Sequence, residues 1–207
     1  MAGKRPGKPA RRYRQFTERR LEILRSAADA FTRNGFAGVT MEEIADRVQM
    51  AKGNLYYYFP SKQDLLFFCQ EQSLGRLIDE AHAISKSRVA PDEQLRRMIR
   101  FHVKTILEEL PGSTAHTDFR SLPSPLLKKV IKKRDRYEHA YRVVIERGIK
   151  EGTFRKCNVR TTVWAILGAL NWSVQWFSPE GEITVEQLGN DFADLFVRSL
   201  QPSSRAD

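Results

Sequence analysis

Residues 35–65 read GFAGVTMEEIADRVQMAKGNLYYYFPSKQDL, and the rest of the chain is organised around this stretch. Thr40 stands where a helix should begin, and Glu43 follows at the capping-box spacing, in which each side chain bonds the other residue's backbone N–H. Apolar residues then recur at helical spacing: Met41, Ile44, Ala45 and Val48. The pattern predicts a short helix, a turn at residues 49–51, a second helix over residues 52–59 and a third helix from Ser61.

The second of these helices has an outward face of unusual composition. Stepping 100° per residue places Leu55 and Phe59 together on the inward side. Four residues turn outward: Gly53, Asn54, Tyr56 and Tyr57. Glycine allows another molecule to approach closely, asparagine can bond a base edge, and tyrosine hydroxyls reach phosphate oxygens. The spacing predicts a helix-turn-helix with a DNA-reading second helix; the alternative is a helical hairpin with exposed aromatic residues.

The stretch resembles the DNA-binding signature of TetR-family transcriptional repressors. The matching runs are G-F-x-x-V-T-M-x-x-I-A-x-x-V and A-K-G-N-L-Y-Y-Y-F-x-S-K-x-x-L. The resemblance implies an all-α protein with an N-terminal three-helix helix-turn-helix DNA-binding domain and a larger helical ligand-binding and dimerisation domain. It also implies a dimer that represses transcription from a palindromic DNA operator. Members usually carry Gly at the turn, where this chain has Gln49; a left-handed non-Gly residue is strained, so we expect a tilted or tightened turn.

The resemblance assigns roles to individual residues. Thr40 matches a residue that anchors a phosphate, and Lys62 matches a phosphate-binding lysine helped by the helix dipole. Contacts to bases or nearby phosphates fall at Lys52, Gly53 and Asn54. Contacts to phosphates or thymine methyl groups fall at Tyr56, Tyr57 and Tyr58, of which Tyr58 replaces a common His.

Composition limits the classes of function. The chain has 207 residues, of which 41% are hydrophobic and 29% charged, which suits a small DNA-reading domain and a larger second domain. No apolar run approaches the ~20 residues needed to span a bilayer, and the basic N-terminus lacks the apolar segment of a secretory signal. Cys69 and Cys157 are isolated, which indicates reduced structural thiols. These features predict a cytoplasmic protein without membrane contact, bound metal or cofactor.

The positive charge is concentrated at the N-terminus. Residues 1–20 hold eight Lys or Arg residues and one acidic residue, so they carry +7 of the net +10. Interspersed Pro and Gly predict a flexible basic arm over residues 1–15, in which Arg11 and Arg12 contact DNA. Such arms lie along phosphates or enter an A·T minor groove; the alternative is a solubilising tail.

Helical periodicity continues through the rest of the chain. It predicts helices over residues 17–34, 61–85, 91–110, 123–150, 158–177 and 184–200. The helix from Ser61 has roughly 25 residues and spans nearly 40 Å, so it runs from the DNA-binding domain into the second domain. The predicted domains are residues 16–62 for DNA binding and 63–202 for effector binding and dimerisation, with a frayed tail at 203–207.

The last two helices carry apolar residues on more than one face. The final helix has Leu188, Phe192, Leu195 and Phe196 at helical spacing, and the preceding helix has apolar residues on two sides. Packing inside one subunit is one explanation. A four-helix dimer interface, which the family resemblance implies, is the explanation that we adopt.

A catalytic function is not indicated. The histidines, His82, His102, His116 and His139, are scattered and have no nucleophile nearby, and the chain has no phosphate loop, CxxC or HExxH. The resemblance implies instead a cavity for a small lipophilic effector that releases the protein from DNA. Residues at helical spacing more often form plain core than contact a ligand. With that alternative, the candidate lining residues are Met98, Phe101, Phe119, Tyr137, Tyr141, Trp164, Asn171, Trp172 and Gln175.

Two features suggest an acyl-CoA as the effector. Residues 168–181, GALNWSVQWFSPEG, are similar to the same segment of family members that respond to acyl-CoA thioesters in lipid, fatty-acid or sterol metabolism. A basic run, either a cationic mouth for the CoA phosphates or a solvated helix face, comprises Lys128, Lys129, Lys132, Lys133, Arg134 and Arg136. For the function as a whole, the alternative is a nucleoid-type protein that binds DNA without sequence preference.

Overall fold

The computed structural model describes residues 8–109 and 118–202, and all regular structure in these ranges is helical. The helices are α1 (Lys8–Gly38), α2 (Met41–Arg47), α3 (Lys52–Tyr58), α4 (Lys62–Lys86), α5 (Pro91–Lys104), α6 (Ser124–Lys150), α7 (Val159–Trp176) and α8 (Val185–Leu200). A π-helical turn, Thr105–Glu109, extends α5, and a 3₁₀ turn, Asp118–Ser121, precedes α6. The predicted all-α fold is confirmed.

The first helix begins earlier than the sequence pattern indicates. It starts at Lys8 rather than Thr17, so the part of the predicted arm from Lys8 to residue 15 is helical. Pro9 is compatible with this start, because a helix tolerates proline in its first turn. At the other end Gly35 has a non-helical backbone (φ 66°, ψ 164°), which ends the straight part of α1 where the sequence predicts. Residues 1–7 and 203–207 lie outside the described ranges.

Local hydrogen bonds determine the turn between α2 and α3. The backbone N–H of Glu43 donates to Thr40 Oγ1 (3.2 Å) and that of Thr40 donates to Glu43 Oε2 (2.7 Å), so the predicted capping box is present. Past the end of α2, the N–H of Met50 donates to the carbonyl of Ala45 (2.9 Å), which is the long bond of a Schellman motif. Gln49 adopts the left-handed conformation (φ 51°) that this motif requires. Because residue 49 is glutamine and not glycine, this conformation strains the backbone by about 1–2 kcal/mol.

Two hydrophobic clusters form the core. The first joins α1, α2 and α3 to the first half of α4, and it also includes Leu122 and Val130 from beyond α5. The second joins the remaining part of α4 to α5, α6, α7 and α8. The DNA-binding domain is consequently packed against the start of α6, rather than being connected to the second domain through α4 alone.

Helix α4 belongs to both clusters. Leu65 and Leu66 are fully buried in the first cluster, and Leu77 and Ala81 are buried in the second. Ser61 caps the helix by accepting a hydrogen bond from the N–H of Asp64 (3.1 Å). A displacement of α4 in the second domain would therefore reach the DNA-binding domain directly. Every helix of the described ranges is too short or too polar to cross a lipid bilayer.

The last two helices each expose an apolar face. Helix α8 packs on α5 through Leu188, Ala193, Val197 and Leu200. Leu195 is instead 60% exposed, and on α7 Trp172 and Trp176 are 60% and 51% exposed. The rings of Trp176 and Phe192 meet edge to face at 6.3 Å, so the exposed residues of the two helices form one surface. The α7/α8 surface is defined here as Trp172, Trp176, Phe192 and Leu195.

The two cysteines are free. Burial raises the pKa of the Cys69 thiol to about 12, so this side chain is protonated and unreactive at neutral pH. Cys157 is half-buried.

Candidate DNA-binding surface and ligand cavity

The outward face of α3 is as the sequence predicts. Leu55 and Phe59 are completely buried. Gly53 and Asn54 are exposed, Tyr57 is 71% exposed, and apart from the adjoining backbone of α3 no atom lies within 4 Å of a Cβ placed on Gly53. The α3 surface, defined as Lys52, Gly53, Asn54, Tyr56 and Tyr57, therefore offers a smooth helix face with one amide, two phenol hydroxyls and a cation.

Lys52 begins α3 and is paired with a carboxylate of α2. Its ammonium forms an ion pair with Glu42, and this bond holds the pKa of Glu42 below its ordinary value and raises that of Lys52. Both groups are largely exposed and stay charged at neutral pH. A phosphate could replace the carboxylate as the partner of Lys52, since the lysine side chain is flexible and its charge is compact.

Two residues predicted to bind phosphate have internal partners. The hydroxyl of Thr40 is occupied by Glu43 in the capping box, although the residue is exposed. Lys62 Nζ donates to the carbonyl oxygens of Phe36 (2.8 Å), Ala37 (3.2 Å) and Val39 (2.7 Å). Three carbonyls use all three donors of the ammonium. In this structure Lys62 stabilises the end of α1 through these bonds, and its contact with a phosphate stays a prediction.

Three predicted DNA-contact residues remain, and the structure describes the side chain of only one of them, Tyr58. Tyr58 is half-buried and stacks on Phe16, with ring centroids 5.1 Å apart. The side chains of Arg11 and Arg12 lie outside the described part of the structure, although their backbone is helical.

A cavity of about 350 Å³ lies between α4, α5, α6 and α7. Its walls combine apolar side chains from α4 and α7 with polar ones from α5, α6 and α7. They are formed by Leu74, Leu77, His102, Arg134, Tyr137, Glu138, Trp164, Leu167, Gly168 and Asn171. Ligand cavities have volumes of about 300–1,000 Å³ and a few convergent polar groups, so this cavity can accommodate a small or partly inserted molecule.

A buried hydrogen-bond chain lies behind one wall. His102 Nδ1 is 3.0 Å from the hydroxyl of Tyr137, which is 3.1 Å from the hydroxyl of Tyr141. Burial raises the pKa of both phenols, so both remain protonated and each can donate one hydrogen bond. Tyr137 reaches the cavity, and Tyr141 supports it from behind.

Arg134 connects the cavity with the DNA-binding domain. Its guanidinium lies 4.4 Å from the ring centroid of Phe119, which packs against the first hydrophobic cluster. Burial, followed by repulsion from Arg120, lowers its pKa. In the described residues no carboxylate forms an ion pair with Arg134, whereas Glu138, also in the cavity wall, is paired with Arg142 (2.5 Å). The cavity thus contains one cation that lacks a salt-bridge partner within the described ranges.

Some predicted ligand residues lie elsewhere. Tyr137, Trp164 and Asn171 line the cavity, but the structure does not bring the other six to its wall, and of these Tyr141 lies behind Tyr137. Met98 is buried in the second cluster, and Phe101 lies near Arg76 on the opposite side of α4. Phe119 packs against the DNA-binding domain, while Trp172 and Gln175 are exposed. Met98, Phe101 and Phe119 recur at helical spacing because they pack against other helices, and Trp172 belongs to the α7/α8 surface.

Several cavity residues are not among the ligand contacts predicted from the sequence, chiefly His102 and Glu138, and Arg134 is predicted only as a member of the basic run. One signal was available, since Arg134, Tyr137, Glu138 and Tyr141 follow the i, i+3, i+4, i+7 spacing of a single helix face. In the rest of the basic run, Lys128, Lys129, Lys132 and Arg136 are exposed, and Lys133 is paired with Glu71 (2.7 Å). The run is therefore mostly a solvated face, with one member in the cavity. His116 lies outside the described residues.

A helix-turn-helix with an exposed second helix, joined by a long helix to a larger helical domain, is the architecture of a DNA-binding regulator. Two family descriptions match the chain: "Bacterial regulatory proteins, tetR family" over residues 23–67 and "Tetracyclin repressor-like, C-terminal domain" over residues 88–200. The chain belongs to the TetR family of bacterial transcriptional regulators. The family resemblance predicted from residues 35–65 is confirmed.

Individual relatives align over almost the whole chain. The HTH-type transcriptional repressor KstR2 of Mycobacterium tuberculosis is 28% identical over 189 residues, which are 90% of this chain and 94% of the relative. The crystal structure of the regulator PfmR from Thermus thermophilus has a TM-score of 0.78 at 30% identity and covers 87% of this chain and 99% of its own. The crystal structure of AibR in complex with isovaleryl coenzyme A and operator DNA has a TM-score of 0.73 at 23% identity. It covers 88% of this chain and 98% of the AibR chain.

Regulators of this family act with DNA, with a second subunit and with small molecules, so the predicted kinds of partner are confirmed. The family consists of transcriptional regulators rather than enzymes.

Proposed function

We propose that the protein represses transcription by binding a palindromic operator as a homodimer, and that a small lipophilic, anion-bearing effector releases it. The observation that carries the DNA-binding part is the α3 surface, where Gly53, Asn54 and Tyr57 are exposed on a helix whose opposite side is fully buried. Such a face can enter a major groove, and Asn54 can bond an adenine edge there. Two such helices in a dimer would read two half-sites.

The α7/α8 surface supports the dimer. Its three most exposed members, Trp172, Trp176 and Leu195, are large apolar residues, and contiguous apolar patches on soluble proteins mark interaction sites. A second copy of the same surface would bury them. A twofold-symmetric dimer would also present two α3 surfaces to one face of the duplex.

Selection of bound fragments from random DNA tests this function. We expect an inverted repeat whose half-sites lie one helical turn, or a multiple of it, apart. The affinity ratio between selected and random DNA should remain large as salt rises, because base contacts do not depend on counterion release. Binding without a recovered repeat, at a ratio near one, would instead identify a nucleoid-type protein.

The cavity supports an acyl-CoA or a related molecule as the effector. Leu74, Leu77, Trp164 and Leu167 offer an apolar wall, and Arg134 offers a positive charge within the same space. A similarly folded protein, AibR, binds isovaleryl coenzyme A. Because α4 contributes to the cavity and begins in the DNA-binding domain, an occupant that prefers a displaced α4 would lower operator affinity. An effector with equal affinity for both states would shift nothing.

Arg134→Met tests the role of the cavity cation. With the operator bound, acyl-CoA thioesters of graded chain length, the matching free acids and CoA alone are titrated while fluorescence anisotropy reports release. We expect at least one thioester to release the wild type, and the substitution to raise the required concentration about tenfold or more, since a charge-assisted hydrogen bond is lost.

Lys132→Met is the matched control, because Lys132 is an exposed cation on the same helix. Its release curve should coincide with that of the wild type. Failure of every thioester to release DNA would reject the effector class. Equal release of the wild type and of Arg134→Met would reject the assigned role of Arg134.

A further inference from the structure

An aromatic residue of α1 touches the tyrosines of the reading helix. The ring of Phe16 meets that of Tyr57 edge to face at 5.7 Å and stacks on that of Tyr58 at 5.1 Å. Tyr57 and Tyr58 themselves meet edge to face at 5.2 Å. The three rings form a closed cluster, called here the Phe16 cluster. Tyr57 remains 71% exposed within it, so the contact with Phe16 leaves most of this side chain accessible to a partner.

Phe16 is in turn fixed from the core. The guanidinium of Arg20, one helical turn along α1, lies 5.8 Å from the Phe16 ring centroid. The same guanidinium lies 4.5 Å from the ring of Phe59 and 4.1 Å from that of Phe68. Phe59 follows α3 and Phe68 belongs to α4, and both are buried. A continuous series of ring and cation contacts therefore runs from α4 through α1 to the exposed tyrosines.

Phe16 lies outside the helix-turn-helix, but its contacts restrict the side-chain rotamers of the tyrosines of α3. A tyrosine on an exposed helix face samples several side-chain rotamers, and ordering it on binding costs conformational entropy. Contacts with a half-buried ring restrict those rotamers before DNA arrives. Edge-to-face and stacked ring pairs are also favourable beyond the area that they bury.

We propose that Phe16 is a positioning residue for DNA recognition, which holds Tyr57 in the orientation that meets the operator. The proposal rests on the proposed function, since it presupposes that Tyr57 contacts operator DNA. It is distinct from a role of the basic N-terminal segment, because a cationic segment strengthens binding to every sequence, whereas an oriented tyrosine strengthens binding to the operator alone.

A double-mutant cycle between Phe16 and Tyr57 provides the test, with the full-length protein and both selected and random duplexes. Phe16→Ala should weaken operator binding roughly tenfold and change random-DNA binding less than about twofold. In the Tyr57→Ala background the same change should have almost no further effect on operator binding. Phe16→Tyr retains the ring and should bind the operator like the wild type. Phe16→Leu retains apolar volume without a ring, so it should resemble Phe16→Ala while keeping the thermal stability of the wild type.

The outcomes separate this proposal from the one on which it rests. If the wild type itself does not prefer the selected operator, the proposed function fails. If the wild type prefers it but Phe16→Ala weakens operator and random DNA equally, or loses the same factor with and without Tyr57, then Phe16 supports the fold and does not position Tyr57.

Discussion

Alanine at Asn54 or Tyr57 is expected to remove most of the preference for operator over random DNA. Each side chain is exposed on α3 and, in the proposed complex, meets a base, Asn54 at its hydrogen-bonding edge and Tyr57 at a thymine methyl group. A good base contact contributes about 1–3 kcal/mol of discrimination, so each change should weaken operator binding about ten- to a hundredfold. Thermal stability should be nearly unchanged, because both positions lie on the surface. Fluorescence anisotropy on both duplexes at several salt concentrations measures the effect.

Two glycines provide a matched pair of substitutions that tests whether DNA approaches the α3 surface closely. Gly53 and Gly75 both lie within helices, and a Cβ built on either meets no atom within 4 Å. Alanine should therefore be accommodated at both positions and raise helix stability by up to about 1 kcal/mol. Only Gly53→Ala should weaken operator binding, because only Gly53 faces the groove. An operator affinity unaffected by changes at all three α3 positions would contradict the assignment of this surface.

Replacing Trp172 and Trp176 together by glutamate should produce a monomer. Both rings are more than half exposed in the single chain, and a dimer interface formed by the α7/α8 surface would have to bury four unpaired charges, which is strongly unfavourable. Connecting two reading helices raises effective affinity by about 10²–10⁴, so operator binding should fall by at least about a hundredfold. Sedimentation velocity measures the oligomeric state, and the same samples supply the binding curve.

Ile131→Glu serves as the control for surface charge. Ile131 is 42% exposed on α6, a helix that contributes no residue to the α7/α8 surface. This variant should remain a dimer and bind the operator like the wild type. A double tryptophan variant that still sediments as a dimer would show that the subunits meet elsewhere.

The helix-turn-helix can be predicted from the sequence because the residues that determine it are close together in the chain. The Thr40–Glu43 capping box and the inward pair Leu55 and Phe59 lie within a few residues of one another, and each has a strong positional preference. The conformation of Gln49 is harder to predict from the sequence. Its strain is visible in the sequence only as a missing glycine, and the hydrogen bond from Met50 to Ala45 keeps the turn in the form that glycine would adopt.

Long-range contacts account for what the sequence did not indicate. The three carbonyl partners of Lys62 belong to residues 36–39, and nothing in the local pattern around Lys62 indicates them. Leu122 and Val130 join the core of the DNA-binding domain from the far side of α5. The sequence pattern places the start of α1 too late for a different reason. Interspersed Pro and Gly predict an unfolded arm, although a proline in the first turn of a helix, as Pro9 is here, is well tolerated.

The cavity was only partly predictable, because a cavity is the space that side chains leave unfilled. Helical periodicity identifies the apolar residues of α5, α6 and α7 but cannot separate those that pack together from those that face a gap. Met98 and Leu74 illustrate this limit: both are buried and apolar, yet only Leu74 reaches the cavity. Polar cavity residues such as Arg134 become recognisable only when they are considered together with neighbours on the same helix face.

Methylation interference on the selected operator tests most directly whether two copies of the α3 surface occupy major grooves. Guanine N7 lies in the major groove and adenine N3 in the minor groove, so methylation at these atoms distinguishes the grooves. We predict N7 interference in two patches on one face of the duplex, with centres about 10–10.5 base pairs or a multiple of that apart, and with both patches weakened for Tyr57→Ala. Interference confined to adenine N3, or a single uninterrupted block insensitive to Tyr57, would contradict the account.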